Sequence, residues 1–160
     1  MRPKWSLILL AAFLITFASF AASTASAAVT AGKERVQRKK ATIAADAAAL
    51  AQQFLGLRYR YGGFSPRTGF DCSGFVMYVY GRLGINLPHN AAAQASVGIH
   101  VPRSLLKPGD LVFFNGLGHV GIYIGKNRFI HSPRTGESVR IEYLSGHWSR
   151  GYVGARRVAA

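Results

Sequence analysis

The sequence changes character near Lys107, and this change constrains the fold more than any other feature. Before it, residues 44–55 and 72–83 carry small and apolar side chains at helical spacing. After it, short runs rich in β-branched and aromatic residues are typical of strands, at 111–114, 119–124, 128–132, 139–143 and 152–156. Helical segments followed by strands predict an α+β domain, with N-terminal helices packed on an antiparallel sheet of about five strands.

The first 27 residues have the three parts of a secretory signal. Arg2 and Lys4 precede an almost wholly apolar run at 7–20, and small residues then end in an Ala-x-Ala cleavage pattern at 25–27. The apolar run is shorter than the roughly 20 residues that a membrane-spanning helix needs. We therefore expect cleavage after Ala27 and an exported product without a permanent membrane anchor, with an uncleaved anchor as the alternative.

Three segments are predicted: the signal at 1–27, a basic Ala-rich linker at 28–43, and one globular domain at 44–158. Removal of the signal would leave 18 basic and 6 acidic residues and a formal charge of +12. Such a charge predicts a polyanionic partner, which for an exported protein is a cell-wall polymer, an anionic membrane surface or extracellular nucleic acid. A charge that serves solubility alone is the alternative.

The chain has a single cysteine, Cys72, which cannot close an internal disulfide. In an exported protein a single cysteine is a free reactive thiol or an intermolecular link. A buried cysteine with a purely structural role is the alternative.

Cys72 occupies the predicted first position of a helix, directly after Asp71, a residue type that often caps helix N-termini. The partial positive charge of a helix N-terminus is expected to lower the pKa of a thiol there. The free amides of that turn, Ser73 among them, could stabilise the oxyanion formed when the sulfur attacks a carbonyl. We interpret Cys72 as a nucleophile and Asp71 as a cap without a catalytic role.

Two histidines on adjacent predicted strands could serve this nucleophile. A three-residue hairpin loop that closes on Ile124 and Arg128 would place His131 opposite Gly121. His131 then lies diagonal to His119 on the same face of the sheet, and Gly121 leaves room for both rings. In this interpretation His119 is the general base and His131 orients its ring. A zinc site made by the cysteine and the two histidines is the alternative.

Five blocks of the sequence, in order between residues 44 and 157, resemble the successive motifs of the NlpC/p60 family of cell-wall cysteine peptidases. They are Tyr-Arg-Tyr-Gly-Gly at 59–63, Phe-Asp-Cys-Ser-Gly-Phe at 70–75, Leu-Lys-Pro-Gly-Asp-Leu-Val-Phe-Phe at 106–114, Gly-His-Val-Gly-Ile-Tyr-Ile-Gly at 118–125, and Phe-Ile-His at 129–131.

The resemblance implies a papain-like core with Cys72 as nucleophile, His119 as base and His131 as the residue that orients it. It also implies that Tyr59 reaches into the site and helps to bind the substrate or the oxyanion, although ordinary packing would equally explain a tyrosine there. The implied substrate is peptidoglycan, cut at amide bonds of its stem peptides by a monomeric enzyme in the periplasm or cell wall. No metal or other cofactor and no nucleic acid partner is expected.

One departure from the family pattern lies at His89-Asn90, where many relatives carry arginine and a small hydroxyl residue. Substrate contacts there could differ, and Gln94 is a further candidate for the cleft. Two other functions stay open at this point: amidase or acyltransferase chemistry on the same scaffold, and a catalytically inactive module that binds the cell wall.

Overall fold

The computed structural model describes residues 6–158, with side chains described for Ser26 and for residues 28–158. It divides into two units, one ending at Lys39 and the other beginning at Lys40. Helix α1 (Ser6–Gln52) supplies all the described residues of the first unit. Within the described residues, no helix has the length and apolar character needed to cross a bilayer.

Two N-terminal predictions fall on this helix. The predicted signal, 1–27, lies mostly outside the residues whose side chains are described, and its cleavage stays a prediction. The segment predicted as a linker, 28–43, is helical and exposed at almost every described position. Its many alanine, lysine and arginine residues have high helix propensity, which explains this conformation. Its role as a linker stays a prediction.

The second unit contains a six-stranded antiparallel sheet, which confirms the predicted α+β class. The five predicted strands are present, together with an additional two-residue edge strand that is too short to give a sequence pattern. In the order in which they lie side by side, the strands are β3 (Ile99–His100), β8 (Tyr152–Arg157), β4 (Leu111–Phe114), β5 (His119–Gly125), β6 (Arg128–His131) and β7 (Arg140–Tyr143).

Short elements complete this unit and join the α1 end to the sheet. Strands β1 (Phe64–Ser65) and β2 (Gly69–Phe70) form a small hairpin directly before helix α2 (Cys72–Gly81). The remaining elements are helix α3 (Ala91–Gln94), a 3₁₀ turn (Arg103–Leu105) and helix α4 (Gly146–Gly151).

Strand β4 is apolar along its whole length because it is buried on both faces. Leu111 and Phe113 pack in the larger core with helix α2, whereas Val112 and Phe114 pack in a second cluster on the opposite face. Each fully buried side chain of this size stabilises the fold by about 1.5–3 kcal/mol. The sheet is therefore fixed from both sides, and α2 sits on one of its faces.

The hairpin between β5 and β6 has the predicted register but not the predicted loop. The turn has two residues, Lys126 and Asn127, both in the left-handed region at φ 52° and 55°. A two-residue loop alone would shift the register by one residue and separate the histidines. A bulge at Ile124 adds one residue to β5, so Ile122 still pairs with Ile130 and the predicted parity is restored.

A glycine-rich segment brings the chain to the start of α2 at very close range. A Cβ at Gly74 would collide with the backbone oxygen of Gly63. Tyr59 bridges to Phe70 next to it, and the buried hydroxyl of Ser132 donates a 2.7 Å hydrogen bond to the Phe70 carbonyl. The segment before Cys72 is thereby tied to the end of β6.

Candidate active site

Asp71 fixes the start of helix α2 and is the cap that the sequence predicts. Its Oδ1 accepts a 2.7 Å hydrogen bond from the Gly74 amide and one of 3.1 Å from the Ser73 hydroxyl. Its Oδ2 accepts a 3.0 Å hydrogen bond from the Gly62 amide. His89 Nε2 lies 3.0 and 2.9 Å from the two carboxylate oxygens. The position of Cys72 is thus held by one carboxylate with four partners.

Cys72 is partly buried and lies in the wall of a cavity of about 610 Å³. Burial raises the pKa of its thiol, and the nearby charge of Asp71 raises it further. The backbone N–H groups of Val120, Ser73 and Cys72 itself oppose this shift. The expected net lowering of the thiol pKa by the helix N-terminus is wrong, because burial outweighs these amides.

His119 and His131 form a buried pair, as the register predicts. His119 Nε2 lies 2.7 Å from His131 Nδ1, and their rings are nearly perpendicular at 87°. Burial lowers the pKa of His119 to about 4. Burial lowers the pKa of His131 to about 2, with further lowering by His119 and Arg140. Both imidazoles are therefore neutral at neutral pH.

Cys72 packs against the core cluster that includes Val120, the residue after His119 on β5, and the Val120 amide acts on its sulfur. His119 lines a second cavity, of about 390 Å³, and the two cavities adjoin at Gly118. The hydrogen bond to His131 engages His119 Nε2, so Nδ1 is the nitrogen of His119 left to take up a proton.

The other two predicted site residues lie on the Cys72 side. Tyr59 is half-buried in the wall of the larger cavity, and its pKa is raised first by burial and then by the charges of Cys72, Asp71 and Tyr61. The Ser73 hydroxyl is engaged with Asp71, so Ser73 offers the thiol its backbone N–H.

The segment after α2 divides between the cleft and the core. His89 and Asn90 line the larger cavity, and Asn90 caps α3 by accepting a 2.9 Å hydrogen bond from the Ala93 amide. Gln94 is fully buried instead of facing the cleft. Its Nε2 donates to the carbonyls of Ser73 at 3.0 Å and Pro88 at 2.7 Å, which supports the first turn of α2.

Sequence reasoning missed Trp148, which lies in α4 over the histidine pair. Its ring centroid is 5.4 Å from that of His119 and 4.8 Å from that of His131. It also packs against Phe114 and Phe129. A tryptophan after a Ser-Gly turn gives no sequence signal for this contact, because its partners lie on three distant strands.

The described residues contain no group of three or more histidine, cysteine, aspartate or glutamate side chains arranged to hold a metal ion. The arrangement can perform acyl transfer: a thiol beside three backbone amides, adjoining a neutral imidazole whose orientation is fixed by a second.

Comparisons with known proteins bear on the family of this chain. The model of the NlpC/P60 family matches residues 56–157. The chain is 49% identical over 129 residues to the murein DD-endopeptidase MepH of Escherichia coli, covering 75% of this chain and 47% of the relative. It is 41% identical over 127 residues to a probable endopeptidase NlpC homolog of Haemophilus influenzae, covering 78% of this chain and 68% of the relative.

Solved structures give the same assignment. An NlpC/P60 family protein from Bacillus cereus superimposes with a TM-score of 0.69 at 40% identity, over 73% of this chain and 40% of that one. The NlpC/p60 domain of the peptidoglycan hydrolase SagA superimposes with a TM-score of 0.64 at 35% identity, over 71% and 97%.

The chain spans about half the length of MepH and about a third of a γ-DL-glutamyl hydrolase from Bacillus subtilis to which it is 42% identical. The family match nevertheless covers most of the second unit, including both sides of the candidate site. The α+β architecture agrees with the papain-like core that the motifs imply. On this evidence the chain belongs to the NlpC/P60 family.

Proposed function

We propose that this protein is a cysteine endopeptidase that hydrolyses amide bonds in peptidoglycan stem peptides. The observation that carries the proposal is that the cavity of a helix-start thiol adjoins, at Gly118, the cavity of a neutral, hydrogen-bonded imidazole pair. These are the parts that acyl transfer through a thioester needs.

In the first half-reaction, the sulfur of Cys72 attacks the carbonyl carbon of the scissile amide. The thiol proton moves to His119 Nδ1 as the S–C bond forms, and the carbonyl oxygen becomes an oxyanion. Backbone amides at the start of α2 and the Tyr59 hydroxyl are the donors available to that oxyanion. The C–N bond then breaks, and the proton on His119 passes to the departing amine.

In the second half-reaction, water attacks the thioester and gives its proton to His119. The S–C bond breaks, the thiolate takes the proton back, and the carboxylic acid product is released. For His119 to accept at Nδ1, its Nε2 must carry a hydrogen and donate it to His131 Nδ1. His131 thus fixes the tautomer that makes His119 a base.

The protonation states of Cys72 and His119 support this order of proton transfers. Because the pKa of His119 is about 4, its imidazole is neutral at neutral pH and Nδ1 can accept a proton. The thiol, whose pKa burial raises, starts the reaction protonated and needs that base. The catalytic unit is therefore a neutral thiol with a neutral imidazole, and charge develops only as the substrate reacts.

Two features support peptidoglycan as the substrate. Relatives carry the names murein DD-endopeptidase, γ-DL-glutamyl hydrolase and γ-D-glutamyl-L-lysine dipeptidyl-peptidase. Without the predicted signal the chain has a formal charge of +12, which favours retention on a wall rich in carboxylates. The predicted signal at 1–27 supports export, and the proposed location is the periplasm or cell wall of a bacterium.

The test is digestion of purified sacculi followed by mass spectrometry of the soluble products. We expect the wild-type protein to release fragments with new amine and carboxyl termini, and Cys72→Ala to release none. Ser104→Ala, an exposed small residue away from both cavities, is the matched control and should match wild type. Binding of sacculi without new termini would instead identify an inactive wall-binding module and contradict the proposal.

A further inference from the structure

The second cavity has a charged wall that the proposed chemistry does not use. It adjoins the Cys72 cavity at Gly118 and is lined by His119, Trp148, Arg134, Glu137 and Arg140. The two arginines are balanced by Glu137 and by Glu142, whose Oε1 lies 2.8 Å from Arg140 Nε. The group left for an anionic ligand is therefore the exposed end of Arg134.

The arginine–glutamate cluster is preorganised. Glu137 Oε1 accepts a 2.9 Å hydrogen bond from Arg134 Nε, and Glu137 Oε2 lies 3.0 Å from Arg140 Nη1. Arg134 is held through Nε and its side chain is 78% exposed, and its two Nη atoms make no hydrogen bond to the described residues. The planar end of Arg134 is therefore available for the two oxygens of a carboxylate.

The direction of the reaction assigns a side of the substrate to each cavity. His119 must give a proton to the departing amine, so the amine side of the scissile bond has to lie in the cavity whose wall His119 forms. That place is the second cavity. The acyl side, which becomes bonded to sulfur, then occupies the larger cavity with Cys72 and Tyr59.

We propose that the second cavity binds the amine-side residue of the substrate and that Arg134 binds a free carboxylate on that residue. The inference rests on the proposed hydrolase function. It adds the direction in which the substrate lies across the two cavities and the requirement for a free carboxylate on the amine-side residue. The substrates so defined are peptides in which the residue that supplies the leaving amine also keeps an unblocked carboxylate. Amidation of that carboxylate removes the charge that Arg134 would bind.

The experiment compares cross-linked muropeptide dimers containing diaminopimelate, prepared with the free carboxylate and as the carboxamide. For the wild-type protein we expect kcat/KM on the free acid to exceed that on the amide by about tenfold, the low end for a hydrogen bond between charged groups because Arg134 is exposed. Arg134→Gln should lose this preference by slowing only on the free acid. Arg67→Gln, an exposed arginine outside both cavities, is the control and should keep it.

Equal rates of wild-type cleavage on both substrates, or an equal loss on both in Arg134→Gln, would overturn the inference while leaving the hydrolase function standing. If wild type and Cys72→Ala give the same traces on both substrates, the proposed function itself fails. Unchanged melting temperatures of the variants establish that any loss reflects the site.

Discussion

The two sides of the candidate site are held in place by different kinds of interaction. On the nucleophile side, named for the proposed role of Cys72, Asp71 joins backbone amides, a hydroxyl and His89 at the edge of the larger cavity. On the base side, named for the proposed role of His119, two imidazoles pack against Trp148, Phe114 and Phe129. Polar contacts thus set the position of the sulfur, whereas apolar packing sets the protonation of the histidines.

Because of this difference, substitutions on the two sides should affect different measured properties. Losses on the base side should change the rate constant and its pH dependence, since they alter tautomer and pKa. Losses on the nucleophile side should appear largely in stability, since each contact there is a hydrogen bond to one cap. Four substitutions test the comparison.

The largest effect is expected for His131→Ala. Without its partner, His119 loses the hydrogen bond that fixes ring orientation and tautomer, and we expect kcat to fall by about 10²- to 10³-fold with little change in KM. His131→Asn, which offers an acceptor in place of Nδ1, should recover part of the rate. His100→Ala, on the exposed edge strand β3, is the control. A change confined to KM would show that His131 acts on substrate binding instead.

Trp148→Ala should move the acid limb of the pH–rate profile. The pKa of His119 is about 4 because the ring is buried, so activity persists above that value and is lost as the pH falls through it. Exposing the ring raises its pKa toward 6.5, and at pH 5 the fraction of neutral His119 should fall by up to about thirtyfold. Trp148→Phe should shift the limb less. An unchanged acid limb would mean that Trp148 does not set the desolvation of the pair.

Asp71→Ala should lower the free energy of unfolding by about 1–2 kcal/mol, measured by urea denaturation, because it removes the cap of α2. Asp71→Asn keeps an acceptor for the Gly74 amide and should lose much less. If both variants kept full stability, the cap would not hold the helix start. If Asn lost activity while keeping stability, the carboxylate charge would act in the chemistry, contrary to our interpretation.

The smallest effect is expected for His89→Ala. Its contact with Asp71 is partly exposed, with 28% of the His89 side chain accessible, and exposed polar contacts of this kind contribute about 0–1 kcal/mol. We expect a change in unfolding free energy within that range and little change in kcat. A larger loss of kcat than in His131→Ala would reverse the comparison between the two sides.

Stability should also fall in acid because of the base side. The unfolded chain binds protons at both histidines below about pH 6.5, whereas folded His119 and His131 resist protonation to about pH 4 and 2. Stability is therefore fully present above 6.5 and decreases as the pH falls from there.

Local patterns predicted much of this architecture. The Asp71 cap, the start of α2 and the five main strands follow from residue types and spacing within a few positions. The histidine pair was also predicted, but for a partly wrong reason. The structure has a two-residue turn with a bulge at Ile124, and this combination gives the same strand register as the predicted three-residue loop. Sequence spacing cannot distinguish the two, because both place the same number of residues between the paired positions.

Sequence patterns did not predict the contacts between residues that are distant along the chain. The thiol pKa depends on how deeply the sulfur is covered, and Val120, which acts on it, is distant along the chain. The burial of Gln94 and the contact of Trp148 with both histidines likewise require the positions of several strands at once. Such features arise from the assembled sheet and leave no local periodicity.

The place of β8 beside β4 has a consequence for synthesis of the protein. Strand β4 pairs with β5 on one side and with β8 on the other, although β8 is translated roughly forty residues later. Until β8 emerges from the ribosome, the run Leu-Val-Phe-Phe is a bare apolar edge that can recruit strands from other chains. A nascent or truncated molecule lacking β8 should therefore aggregate, and chaperone protection is most needed during that interval.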